Sequence, residues 1–202
     1  MNNTTNIQKI IREDILRLLG EVKEKVSLHY IKAKIKASPD LIDQAFKELE
    51  KQKMIDKSDL DRNKLSLTKK GEKESKKIIR KHIILENYFK KSIDDEEAHK
   101  KAHILEHYVA KEVIKRIEML STLKSNDLPL TDIDIGKAVL ITDIEIKSSF
   151  LFERIVSMGI LPGEKVRILN IIRDRFIIKV NNKKFALDIE IAQKIKVLNK
   201  KI

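Results

Sequence analysis

The apolar residues of this 202-residue chain change period near residue 126, and that change constrains the fold more than any other feature. Before it, isoleucine and leucine recur at helical spacing. After it come short β-branched runs separated by glycine and asparagine turns. The chain therefore reads as α+β and multidomain. With 42% hydrophobic residues it can build real cores. The absence of cysteine excludes a disulfide framework, an iron–sulfur cluster and any thiolate zinc site. No apolar run approaches about 18 residues, and the opening MNNTTNIQKIIRED lacks the apolar stretch of a signal peptide, so a cytoplasmic protein with no membrane partner is expected.

Residues 1–72 read as helices followed by a short β element. Ile10, Ile11, Ile15, Leu16, Leu18 and Leu19 mark a first helix, with Gly20 a candidate stop. The basic amphipathic stretch LHYIKAKIKA follows. Ser38 then offers an N-cap and Pro39 the favoured first helical position, ahead of an apolar face of Leu41, Ile42, Ala45, Phe46 and Leu49. The runs KMIDKS and NKLSLT flank the polar turn 59–63 and read as a hairpin. This order is that of a winged helix-turn-helix.

Residues 73–125 contain neither glycine nor proline and read as helical, with one helix through KKIIRKHIILENYFKK and a second from about Glu96 to Leu120. Four of the five histidines fall here. His82 and Glu86 share one helix face, while His99, His103, Glu106 and His107 follow at i, i+4, i+7 and i+8 along the next. Two such stripes can close a site rich in imidazole and carboxylate, donors that suit first-row transition ions from Mn²⁺ to Zn²⁺ rather than Ca²⁺ or Mg²⁺. His103 to His107 also matches the HxxEH pattern of zinc peptidases. That reading leaves His82, Glu86 and His99 unexplained and finds no third ligand further on. Residues 126–202 carry the strand-like runs AVLITDI, KVRILNII, FIIKV and KKFAL, broken at Gly136, Gly159, Gly163 and Asn181-Asn182. They suggest a small barrel with FLFERIVSMG as its helix.

The stretch LTKKGEKESKKIIRKHIILENYF, followed by AHKKAHILEHYVAKEVIKRI, resembles the DtxR/MntR family of metal-dependent transcriptional repressors. GILPGEKVRIL and FALDIEIAQKIKVL resemble the C-terminal FeoA/SH3-like domain that family members carry. The resemblance implies three parts: a DNA-binding winged helix-turn-helix over 1–72, a helical dimerisation and metal-binding domain over 73–125, and a linker with an SH3-like barrel over 126–202. It further implies two metal sites. His82, Glu86 and His99 match an ancillary site, and Asp14, His103, Glu106 and His107 match the primary site that switches DNA binding. Iron-responsive members tend to have Met and Cys at the Asp14 and His103 positions, and manganese-responsive ones Asp and Glu. The Asp–His combination here fits neither pattern fully and favours Fe²⁺ or later metals relative to Mn²⁺. Ser148 and Leu151 stand where some members bring further ligands from the barrel.

The implied function is a non-enzymatic, homodimeric repressor that takes Fe²⁺ or Mn²⁺, with Zn²⁺, Co²⁺ or Ni²⁺ able to occupy the site in vitro, and binds a double-stranded DNA operator but no small-molecule substrate. Ser38, Pro39, Leu41, Gln44 and Lys47 would face the major groove and Arg62 and Lys64 the phosphates. Asp40 and Asp43 oppose phosphate contact, which keeps open a rival: a metal-binding or interaction module that no longer represses. The net charge of +12 is spread evenly, +4 on each of the three segments, so it does not single out the DNA-binding part.

Overall fold

The computed structural model describes residues 3–22, 25–56, 64–122 and 127–198. It divides into two compact units, Met1–His82 and Ile83–Ile202. The first contains α1 (Asn3–Glu21), β1 (Val26–Ser27), α2 (Leu28–Lys34), α3 (Pro39–Lys51), β2 (Ile55–Asp56), β3 (Lys64–Leu67) and most of α4 (Lys69–Phe89). Ile42, Ala45, Phe46 and Leu49 of α3 are buried with Ile11, Ile15, Leu16 and Leu19 of α1, as the helical spacing predicts. Leu41 is only half-buried. Ser38 has the extended backbone of an N-cap, with Pro39 behind it, but its hydroxyl makes no capping bond. Ser27 does cap α2, accepting from the Tyr30 amide at 3.1 Å.

β2 and β3 pair antiparallel, Ile55 opposite Leu67, which matches the expected hairpin. The expected turn at 59–63 lies outside the described residues. β1 is an addition that a two-residue strand could not announce, and it completes a three-stranded sheet in the order β1-β3-β2. Gly20 does not stop α1. The helix continues to Glu21, and a Cβ at Gly20 would stand 1.8 Å from Ser75 Oγ, so glycine is there for a close helix crossing.

The second unit holds the end of α4, then α5 (Asp95–Leu105), α6 (Lys111–Leu120), β4 (Asp127–Pro129), a 3₁₀ turn (Leu130–Asp132), β5 (Ala138–Ile144), α7 (Ser149–Ser157), β6 (Lys165–Ile172), β7 (Arg175–Val180), β8 (Lys183–Asp188), α8 (Ile189–Lys194) and β9 (Ile195–Leu198). The strands form one antiparallel sheet in the order β4-β9-β5-β6-β7-β8. Asn181 and Asn182 both have positive φ and close the two-residue β7–β8 hairpin. The expected single helix over 96–120 is corrected to two. α5 ends at Leu105 and α6 begins at Lys111. Leu105, Glu106 and His107 are buried in succession, and at 100° per residue a continuous helix lying on one core cannot bury three neighbours together.

α5, α6, Phe89 and the sheet share one hydrophobic core. Val109, Val113 and Ile117 are core residues of the single chain, Leu120 joins a small neighbouring cluster, and Ile104 is partly buried. Lys101 belongs to the core as well. It follows Ala98 and precedes Ala102 and Leu105 on the buried stripe of α5, with 6% of its surface exposed. Its ammonium donates to the Ile144 carbonyl at 3.1 Å, pairs with Glu97 at 3.4 Å, and lies 5.9 Å from the Phe89 ring centroid and 5.4 Å from that of Phe152. These contacts offset the desolvation of a buried cation. Lys101→Ala removes the stem and the charge together, and chemical denaturation is expected to report a loss of about 2–4 kcal/mol for this unit. No helix among the described residues is long and apolar enough to cross a membrane.

Candidate metal centre

α5 is started by Asp94, whose carboxylate accepts from the Glu97 amide at 2.9 Å, and by three further acids in its first turn that suit the helix dipole. Its other end carries the chemistry. His103 lies in the last turn, Glu106 is the C-cap, and His107 stands in the turn beyond. Glu106 Oε1 is 3.1 Å from His103 Nδ1 and 3.6 Å from His107 Nε2, and the two imidazole rings are 5.6 Å apart. One ligand atom from each of the three lies within 4.8 Å of the others. The spacing read from the sequence as a helical stripe is thus achieved by the end of a helix and a turn.

The side chain of Glu106 is wholly buried and that of His107 is 4% exposed, while His103 is 38% exposed. A carboxylate withdrawn from water beside two imidazoles is a donor set that a divalent transition ion fits in charge and ligand type. The exposed His103 leaves that set a solvent-facing side. The turn is fixed from behind. Tyr108 donates to Glu153 Oε1 of α7 at 3.1 Å, and burial together with that carboxylate pushes the phenol up to about 12.

A second set lies nearer the start of α5. Glu86 Oε2 of α4 is 3.3 Å from His99 Nδ1, with half of the His99 side chain exposed. His82 stands one turn before Glu86 on α4 and is 5% exposed. Asp14 is half-buried on α1 of the first unit. Two positions of the second unit singled out in the sequence, Ser148 and Leu151, are engaged elsewhere. The Ser148 hydroxyl caps α7 by accepting from the Leu151 amide, and Leu151 is packed against the core.

Of the residues expected to meet DNA, Ser38, Pro39, Gln44, Lys47 and Lys64 are exposed, Leu41 is half-buried, and Arg62 lies outside the described residues. Gln44 Oε1 accepts from Gln8 of α1 at 3.1 Å. Asp43 is paired with Lys32 at 2.6 Å, a neutralisation that sequence spacing could not foresee across two helices. Two residues of the second unit escaped the sequence reading altogether, Lys90 and Lys101. Each had a signal: Glu86 and Lys90 are an i, i+4 pair in the favoured order, and Lys101 occupies an apolar position of the α5 stripe.

Residues 68–125 match the family described as iron dependent repressor, metal binding and dimerisation domain, and residues 128–199 match the FeoA domain. No curated protein matches the chain. Among solved structures, a manganese-dependent transcriptional repressor in complex with manganese is 18% identical, covering 92% of this chain and 98% of its own, with a TM-score of 0.47. IdeR of T. acidophilum is 20% identical over 98% of each chain, with a TM-score of 0.43. A FeoA iron uptake regulatory protein is 25% identical over 36% of this chain and 94% of its own, with a TM-score of 0.32. The two domain matches follow one another over most of the chain, and both donor sets carried by α5 fall inside the metal-binding one. Over residues 68–125 the chain thus carries a metal-binding and dimerisation domain of the iron dependent repressor type, followed over 128–199 by a FeoA domain.

Proposed function

We propose that this chain is a homodimeric repressor whose operator binding is switched on by Fe²⁺ or Mn²⁺. The observation that carries the reading is the buried Glu106 carboxylate set between His103 and His107 within the matched metal-binding domain. In this reading those three residues, with Asp14 as the fourth ligand that the resemblance implies, form the primary site, and His82, Glu86 and His99 form the ancillary one. These residues would hold a divalent ion, which would supply the positive charge that balances their carboxylates. The chain's own part is to hold Glu106 and His107 in place through the buried turn and the Tyr108–Glu153 bond. A ligand set complete in only one arrangement biases a two-state element.

The domains are then a winged helix-turn-helix over 1–72, the dimerisation and metal-binding helices over 73–125, and the FeoA, SH3-like part over 126–202. α3 is the recognition helix, presenting Ser38, Pro39, Leu41, Gln44 and Lys47 to the major groove, with Arg62 and Lys64 of the wing on phosphates. The Lys32–Asp43 pair supports DNA contact, because it lessens the repulsion that Asp43 would exert on phosphate. Two-fold symmetry would place operator half-sites about 10 bp apart or at multiples of that. The zinc-peptidase reading has less support, since Glu106 is enclosed between its histidines rather than turned toward a substrate chamber.

An electrophoretic shift on the protein's own promoter region, with and without Mn²⁺ or Fe²⁺, tests the proposal. Retardation is expected only with metal and is expected to disappear in His103→Ala. Metal-independent behaviour at low salt would instead favour the interaction module that no longer represses.

A further inference from the structure

The Glu86–His99 pair is engaged by a cation of the chain's own. Lys90, one turn further along α4, places Nζ 2.8 Å from Glu86 Oε1, while His99 Nδ1 stands 3.3 Å from Glu86 Oε2. The same ammonium lies 3.8 Å from Asp95 Oδ1, on the first residue of α5. Lys90 therefore bridges the two helices that carry this donor set, with one carboxylate inside the set and one outside it. A lysine ammonium is charged throughout the physiological range.

Resting on the reading of Glu86 and His99 as metal ligands, we infer that Lys90 is a specificity-determining residue of that site: an internal counter-cation that a divalent ion must displace from Glu86, with Asp95 as the acceptor to which the ammonium withdraws. Two physical effects lead there. A single i, i+4 ion pair on a helix is weak, so Lys90 yields the carboxylate rather than blocking it. A unit positive charge held within a few ångströms of a doubly charged ion nonetheless repels it, and Asp95 lies close enough to keep the ammonium nearby after it lets go.

The competition falls on a carboxylate oxygen and leaves the imidazole untouched. It therefore weighs most on ions that depend on oxygen donors, Mn²⁺ before Zn²⁺ or Ni²⁺. The local consequence is a site biased toward nitrogen-preferring ions by a residue that ligates nothing.

Titration of the full-length protein with Mn²⁺, followed by the EPR signal of the free ion, and with Ni²⁺ by calorimetry, tests this. Lys90→Met keeps the apolar stem and removes the charge. It is expected to tighten the Glu86–His99 class of Mn²⁺ sites about 5–10-fold and Ni²⁺ less than half as much, and the gain is expected to vanish when His99→Ala is added. Circular dichroism checks that each variant is folded, and Lys90→Gln provides a second neutral replacement. Unchanged Mn²⁺ affinity in both neutral variants, with His99→Ala still removing one class of site, overturns the role of Lys90 and leaves the ligand reading intact. If His99→Ala leaves stoichiometry and affinities unaltered, the ligand reading fails and the inference falls with it.

Discussion

Glu106→Ala is expected to eliminate the primary metal site, lowering affinity there by at least 100-fold and with it all metal-induced retardation of DNA. Glu106 Oε1 stands between the two histidine nitrogens, 3.1 Å from one and 3.6 Å from the other. The carboxylate is wholly buried, and its replacement leaves two imidazoles facing a small cavity. Removing a carboxylate that had to be desolvated also lifts a cost from the metal-free fold. The cavity and the lost contacts to two imidazoles outweigh that relief, so the expected result is a folded protein, modestly less stable than its parent, that no longer responds to metal. Calorimetric metal titration and thermal unfolding of the metal-free form measure the two halves separately. Loss of DNA binding together with loss of fold would mean that Glu106 acts as a structural residue, and unchanged metal affinity would overturn its assignment as a ligand.

The second large effect concerns stability. Gly71→Ala places a Cβ 1.9 Å from the Met54 carbonyl oxygen and 2.9 Å from its carbon, both backbone atoms with no freedom to step aside. Gly71 lies in the first turn of α4, and Met54 immediately precedes β2. That carbonyl also accepts from the Thr68 amide at 3.0 Å, and the Thr68 hydroxyl accepts from the Gly71 amide at 3.1 Å, so a shift breaks several bonds together. Alanine is ordinarily the better helix former by up to about 1 kcal/mol, yet here overpacking against backbone wins. Destabilisation of about 3 kcal/mol or more is expected from urea unfolding of the first unit. A neutral or stabilising result would show that α4 can start elsewhere.

What could be read from residues alone follows the range of the interactions. The α3 face, the β7–β8 hairpin and the histidine stripe are set by neighbours within eight positions, and periodicity and turn chemistry reveal them. The break between α5 and α6 has no local marker. Leu105, Glu106 and His107 are buried in succession there, which one face of a single helix lying on a core does not provide. Gly20 was legible as unusual but not as a crossing point, because Ser75 lies far along the chain. The candidate metal ligands were visible because their types and spacing are rare together. Their electrostatic surroundings were less so: Lys90 could have been paired with Glu86 by local spacing, but its second contact with Asp95 belongs to the turn between two helices.

The buried ammonium of Lys101 has one more consequence. Lys101 lies between His99 and His103 in sequence while its charge is held by β5 and by rings from α4 and α7. α5 therefore cannot rotate or slide without moving a cation through an apolar interior, and its exposed ligand face inherits the rigidity of the sheet behind it. The boundary between the two matched domains near residue 126 is then a seam in ancestry but not in mechanics. If the histidines bind a metal as proposed, the binding energy gained there would be shared with the FeoA strands as a common resistance to unfolding.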